Sequence, residues 1–169
     1  MFIRATLLIA TSIFASYCLA DNWTYNESKD RMTGNMLREA SSSITYSDSN
    51  EYVRAQIVVK CLPPNELVPY VYFNFGVQLN GATAAGEYLF KELRANWDNQ
   101  TSTLAVMTIP NANFITVFYP SDQDKVLANL TLKSKLLLEV SDLKYGLNYF
   151  DFSLSGSSTA LQKLSKTCN

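Results

Sequence analysis

Residues 150–168 read FDFSLSGSSTALQKLSKTC, a strand, a break, a short helix and a cysteine in immediate succession. Phe150, Phe152 and Leu154 alternate with Asp151, Ser153 and Ser155, the period-two pattern of a strand with one buried face. Gly156 interrupts the alternation, and the spacing predicts a helix that starts at Ser157 or Ser158. Their hydroxyls are placed to accept from the unpaired amides of the first turn. Ala160, Leu161 and Leu164 share one face of that helix, and Lys163 and Lys166 fall late in it, where the dipole favours cations. The helix delivers Cys168 one residue from the end of the sequence. This closing segment, with Phe150, Phe152 and Gly156 as scaffold positions, predicts a β domain fastened at its C-terminus.

Working back from it, the same alternation recurs. Tyr52–Cys61 puts Val53, Ala55, Ile57 and Val59 on one side and Arg54, Gln56 and Lys60 on the other. Pro63, Pro64 and Asn65 turn the chain into a second strand, Tyr70–Phe75, where Val71, Phe73 and Phe75 oppose Tyr70, Tyr72 and Asn74. These two strands predict a hairpin. Further strands are expected at Thr103–Ile109, Phe114–Tyr119 and Lys135–Val140, with an irregular one near Met36–Ser41. Glu87–Arg94 suits a strand or a short helix, and Gly76–Gly86, with Asn80-Gly81, suits a turn or a loop. Asp98–Gln100 reads as a turn and Pro120 as a strand stop. Ser121–Ser134 reads as a helix, with Ser121 as its cap and Asp122 and Asp124 early. The whole predicts a mainly β, antiparallel β-sandwich with one or two short peripheral helices.

The first residues, MFIRATLLIATSIFASYCLA, place Arg4 before an apolar run to about Ala15 and end on a small residue. This is the pattern of a secretory signal peptide over residues 1–20, cleaved after Ala20, with residues 21–169 as one exported domain. Cys18 does not fit a lipoprotein signal, because bulky Tyr17 precedes it. No later stretch reaches the roughly 20 apolar residues of a membrane span. Cys61 and Cys168 are then left as an even pair in an exported chain, which favours a disulfide closing nearly the whole domain. Trp23 stands at the mature start as the first core anchor. The formal net charge is -1, with Lys and Arg dispersed among acidic residues, so no basic stripe invites nucleic acid.

The chain has no histidine. That removes Ser-His-Asp and Cys-His catalysis and imidazole-based zinc sites. Ser141-x-x-Lys144 matches a serine acyltransferase dyad but falls in an expected turn without companion motifs. Asp122 with Asp124, or Asp30 with a distant partner, would serve a glycan-acting site only if a cleft brought two carboxylates together. No cofactor set is present, and the reading is of a non-enzyme. The Tyr70, Tyr72 and Asn74 face is the candidate interaction surface, since tyrosine joins contact area to a polar tip. It suits a protein of the cell envelope; a cell-wall glycan is the alternative partner. Asn22, Asn26, Asn99 and Asn129 each begin an Asn-x-Ser/Thr triplet, frequent by chance in a chain this rich in such residues.

Taken together, Trp23 followed by Asp30, Met32 and Thr33, the strand Val58–Cys61, Trp97, and Phe150, Phe152, Leu154, Gly156, Ala160, Leu161, Leu164 and Cys168 form a pattern across most of the mature chain. On these residues the chain resembles the VasI family, also called TagO-like, of small exported proteins associated with bacterial type VI secretion loci and found in prophage-like settings. Lys91, Arg94 and Asp98 stand only loosely where that family carries Arg and Asp in its middle strand. The resemblance implies a periplasmic accessory or interaction protein, acting by protein–protein binding in secretion, toxin neutralisation or phage-related exclusion. It implies no catalytic residues.

Overall fold

A computed structural model describes residues 22–62, 65–74, 77–142 and 144–168; the expected signal peptide lies outside them, as do Pro63, Pro64, Phe75 and Gly76. In chain order the strands are β1 (Trp23–Lys29), β2 (Met36–Ser42), β3 (Thr45–Tyr46), β4 (Arg54–Leu62), β5 (Glu66–Phe73), β6 (Thr83–Ala85), β7 (Tyr88–Trp97), β8 (Gln100–Thr108) and β9 (Phe114–Val117). Helix α1 (Pro120–Leu132), β10 (Lys135–Asp142), β11 (Gly146–Ser153) and helix α2 (Ser157–Thr167) follow. The mainly antiparallel β architecture with two helices is as the alternation predicts. Among the described residues no helix is long and apolar enough to cross a membrane.

The strands make one continuous antiparallel sheet in the order β1-β2-β4-β5-β9-β8-β7-β10-β11, with β3 on β4 and β6 on β7. The facing layers arise because this single sheet curls over its own apolar face. Phe73 of β5 and Phe150 of β11 meet with ring centroids 5.6 Å apart. The two ends of the sheet also meet. Asn22 donates its amide to the Ser155 carbonyl at 3.0 Å, the Trp23 indole N–H donates to Ser153 at 3.2 Å, and Ser47 bridges Phe150. Because side chains alternate, this curl gathers Trp23, Val53, Ala55, Ile57, Val59, Leu93, Leu136, Leu138, Phe150 and Phe152 into one core.

Local chemistry sets the connections. The β4–β5 hairpin pairs Ala55 with Phe73 through Leu62 with Glu66, as expected for these two strands. Glu87–Arg94, open between strand and helix in sequence, lies in β7, whose Trp97 pairs with Gln100 of β8. Asp98 (φ 46) and Asn99 (φ 70) make the tight turn, residue types that tolerate left-handed backbone. The Asp98 carboxylate then accepts from the amides of Ser134 (3.0 Å) and Lys135 (2.9 Å), tying the hairpin to the start of β10.

Helix α2 starts at Ser157 as expected and α1 one residue before Ser121, but both caps differ from expectation. Pro120 opens α1 at its first turn, and the N-cap is Tyr119 in extended backbone with no side-chain cap; a proline there loses no helical hydrogen bond. Ser121 is therefore inside the helix. For α2 the N-cap is Gly156 in left-handed backbone (φ 85), again with no side-chain cap. Ser157 does not cap amides: its buried hydroxyl faces the Leu154 carbonyl at 2.6 Å and lies against the Leu130 carbonyl of α1. The helices are thus joined through a shared hydroxyl, which position-by-position capping rules do not anticipate. Ala160, Leu161 and Leu164 are buried as their spacing predicts.

Cys61 and Cys168 form a disulfide, with Cα atoms 5.5 Å apart and a sequence separation of 107. It fastens α2 to the end of β4. Restricting an unfolded loop of this length contributes about 2–4 kcal/mol in typical cases. The Cys61→Ser, Cys168→Ser double variant should lose about that much in urea unfolding, with the native fold retained by circular dichroism. Gly156→Ala should cost a further ~1 kcal/mol in the same assay, because Cβ is disfavoured at left-handed backbone.

Candidate outward aromatic face

The sequence places Tyr70 and Tyr72 opposite the core-facing residues of β5, and pairing determines what stands beside them. Across β4 and β5, Val58 is level with Tyr70 and Gln56 with Tyr72. Across β5 and β9, Tyr70 is level with Thr116 and Tyr72 with Phe114. Directly paired residues point to the same side of a sheet, so Phe114 joins the two tyrosines on the outer surface. The centroids lie 5.9 Å apart for Tyr70–Tyr72, 5.5 Å for Tyr70–Phe114 and 5.8 Å for Tyr72–Phe114. All three side chains are half-buried. Val58, although on this outer face, is only 5 % exposed, flanked in register by Ser41 and Tyr70.

The row continues. Met107 pairs with Thr116 and Phe90 with Met107, so the outer face runs from Tyr70 to a second aromatic group on β7. There Phe118 packs edge-on against Phe90 at 4.7 Å and against Tyr119 at 4.7 Å, and Tyr88 stands 6.3 Å from Phe90. Phe90, Phe118, Tyr119, Thr83 and Glu92 line an open groove of about 510 Å³. Tyr88, Phe118 and Tyr119 are exposed. The aromatic surface is therefore a band across four paired strands, of which the sequence reading named only the first two rings.

A cation stands beside the tyrosine end of the band. Lys60 Nζ lies 5.0 Å from the centre of the Tyr72 ring, a cation–π distance. Burial is the first cause that holds the Tyr70 phenol above its ordinary pKa; the neighbouring Tyr72 adds to the rise and Lys60 opposes it.

The other sequence-derived residues lie apart. Asn74 does not extend the tyrosine surface. Its side-chain oxygen accepts from the Arg54 amide at 2.7 Å and its NH₂ donates to the Tyr52 carbonyl at 2.6 Å, so it latches the start of β4. Asp30 closes its own turn, accepting from the Met32 and Thr33 amides, which hold its carboxyl below the ordinary range. Asp122 pairs with Lys125 at 2.9 Å on α1. Ser141 lies within β10, where its carbonyl accepts from Asn80, and Lys144 Nζ sits 5.0 Å over the Tyr145 ring. The carboxylates singled out from sequence thus serve turns and a helix, and Ser141 serves the sheet. Trp23, Phe150 and Phe152 are core, as expected.

No family model matches the chain, and no curated protein is similar to it in sequence. Among solved structures, the crystal structure of invasion associated protein B from Bartonella henselae is similar, with a TM-score of 0.54 at 17% identity over 87% of this chain and 94% of that one. The likeness is one of fold.

Tyr70 supplies a solution test of this geometry. A raised phenol pKa means that the folded state holds the proton more tightly than the unfolded chain, so the contribution is present below about pH 10 and lost as pH rises through the folded value. Unfolding midpoints should fall as pH rises above about 10, and less steeply in Tyr70→Phe. Lys60→Met should move the Tyr70 transition, followed by tyrosinate absorbance, to still higher pH.

Proposed function

We propose that this chain is an exported accessory protein of the cell envelope that acts by binding another protein through its outward aromatic face. The observation that carries the reading is the arrangement of Tyr70, Tyr72 and Phe114. Their ring planes are inclined to one another by 40°, 80° and 47°, and Lys60 lies over Tyr72. A sugar ring stacks on an open aromatic face, and extended glycans favour coplanar platforms. Inclined rings instead present ridges and clefts, into which side chains of a protein partner fit. Tyrosine-rich surfaces of this kind supply large contact area at small conformational cost.

Export follows from the sequence pattern of residues 1–20, and the resemblance to the VasI family adds the periplasm and a role beside a secretion machine, in toxin neutralisation or in phage-related exclusion. The fold neighbour is described as invasion associated, which accords with action outside the cytoplasm.

The test is a cross-linked pull-down from the cell envelope with the mature protein, run beside Tyr70→Ala, Tyr72→Ala. One stoichiometric protein partner, retained by the parent, lost by at least about tenfold in the double variant and reconstituted from purified components, is the expected result. Retention of wall glycan with no enriched protein overturns the reading in favour of a glycan ligand. Because Val58 loses its neighbour, the double variant should also be destabilised by ~1 kcal/mol, so its fold is verified before its binding is compared.

A further inference from the structure

Glu92 stands at the far end of the aromatic band from Lys60. In β7 it is two residues from Phe90, so both side chains lie on the outer side of the sheet, and its register partner is Ala105. Glu92 and Ala105 line the open groove of about 510 Å³ together with Phe90, Phe118 and Tyr119. The Phe118 amide donates to the Ala105 carbonyl at 2.9 Å, which sets Phe118 beside the Glu92–Ala105 pair. Phe118 crosses Phe90 at 78° and Tyr119 at 65°. Phe118 and Tyr119 remain exposed, so ring surface is open to whatever enters. Glu92 is exposed as well, and among the described residues no ion pair engages it. Two cations of β7 are committed elsewhere. Arg94, next on the same side, pairs with Glu139 at 3.0 Å. Lys91, which also lines the groove, is level with core Val106 and donates its ammonium to the Asn80 carbonyl.

An uncompensated carboxylate among aromatic rings selects a cation, because ring faces are negative and attract positive charge, and the carboxylate adds a charge-assisted hydrogen bond. Guanidinium meets both needs at once, since it is planar, stacks on aromatic rings and donates two parallel N–H bonds to one carboxylate. An ammonium is a compact, strongly hydrated point charge and uses the rings less well. We propose that the groove is a binding site for a guanidinium group. The assignment of that group to an arginine side chain of the partner rests on the reading of the band as a protein-binding face.

The experiment follows the backbone amides of Phe90, Glu92, Phe118 and Tyr119 in ¹H–¹⁵N spectra of the full mature chain as ethylguanidinium is added. Ethylurea, a neutral molecule of nearly the same shape, and ethylammonium are the comparison probes at equal ionic strength. The expected result is a saturable shift at the groove, with ethylguanidinium bound about tenfold tighter than ethylurea and several-fold tighter than ethylammonium. Glu92→Gln, which keeps the side chain's shape at an exposed position, should weaken ethylguanidinium by about tenfold. No saturable shift at the groove, equal affinity for ethylguanidinium and either comparison probe, or an affinity unchanged by Glu92→Gln overturns the proposal. The envelope pull-down identifies the source of the group. Capture that needs Tyr70 and Tyr72 and falls in Glu92→Gln supports an arginine of the partner. The same capture unchanged in Glu92→Gln overturns that arginine and leaves the band's protein reading in place. Glu92-dependent ethylguanidinium binding with no captured protein upholds the groove and overturns the protein reading.

Discussion

The union of the two ends of the sheet is the constraint on which the rest of the structure depends. A curled antiparallel sheet has an apolar concave face but leaves it open at the rim, and exposed strand edges invite association. Here the N-terminal strand is drawn to the C-terminal one by the Asn22–Ser155 and Trp23–Ser153 hydrogen bonds, and α2 follows at once. Its Leu161 and Leu164 enter the core, Tyr25 of β1 reaches Thr167 at 3.1 Å, and Lys163 lies 4.5 Å from the Tyr25 ring. The disulfide then holds the far end of α2 to β4. Without that closure Trp23, Ala40 and Val59 would face solvent together.

The curl also creates backbone needs that side chains meet. On one edge of β4, β2 covers residues 58–60 and β3 covers residues 54–55, leaving the Ile57 amide between them. The buried Ser42 hydroxyl accepts from it at 3.0 Å, and Gln56 donates to the Ser42 carbonyl at 2.8 Å. A serine in a strand end thus replaces a missing ladder bond, as burial of a peptide N–H demands. Asn74 and Asp98 do comparable work at the other end of β4 and at the β7–β8 turn. Polar residues that look like surface positions in sequence are in this way parts of the frame.

Much of the fold was legible because period-two patterning is local. Val53, Ala55, Ile57 and Val59 point inward as their alternation requires, and the closing strand, helix and cysteine are where residues 150–168 indicate. Helix caps were less legible, since Ser157 is engaged with the end of α1, a tertiary contact that overrides its capping preference. The single curled sheet was not visible as such, because which strands become neighbours depends on contacts far apart in sequence. The site shows the same division. Tyr70 and Tyr72 were found from alternation, whereas Phe114 requires the β5–β9 register, and Asn74, on the same alternating face, is consumed by the Arg54 and Tyr52 backbone.

Placement on paired strands gives the aromatic band a property that a loop surface lacks. Each ring is held against another ring, and the strands beneath are hydrogen-bonded on both sides through β5, β9, β8 and β7. A partner docking on this face would meet side chains whose rotamer freedom is already reduced by folding, so less entropy would be lost on association than with isolated exposed tyrosines. The cost has been transferred to the folded state, where Tyr70 contributes by flanking Val58 and by keeping its phenol protonated. A partner held there would couple binding to stability at Tyr70, while Phe118 and Tyr119 lie beyond the end of β9 and are more exposed. A half-buried group of rings beside a more exposed one suits recognition of a protein surface, in which the buried anchor sets the register and the exposed rings widen the contact.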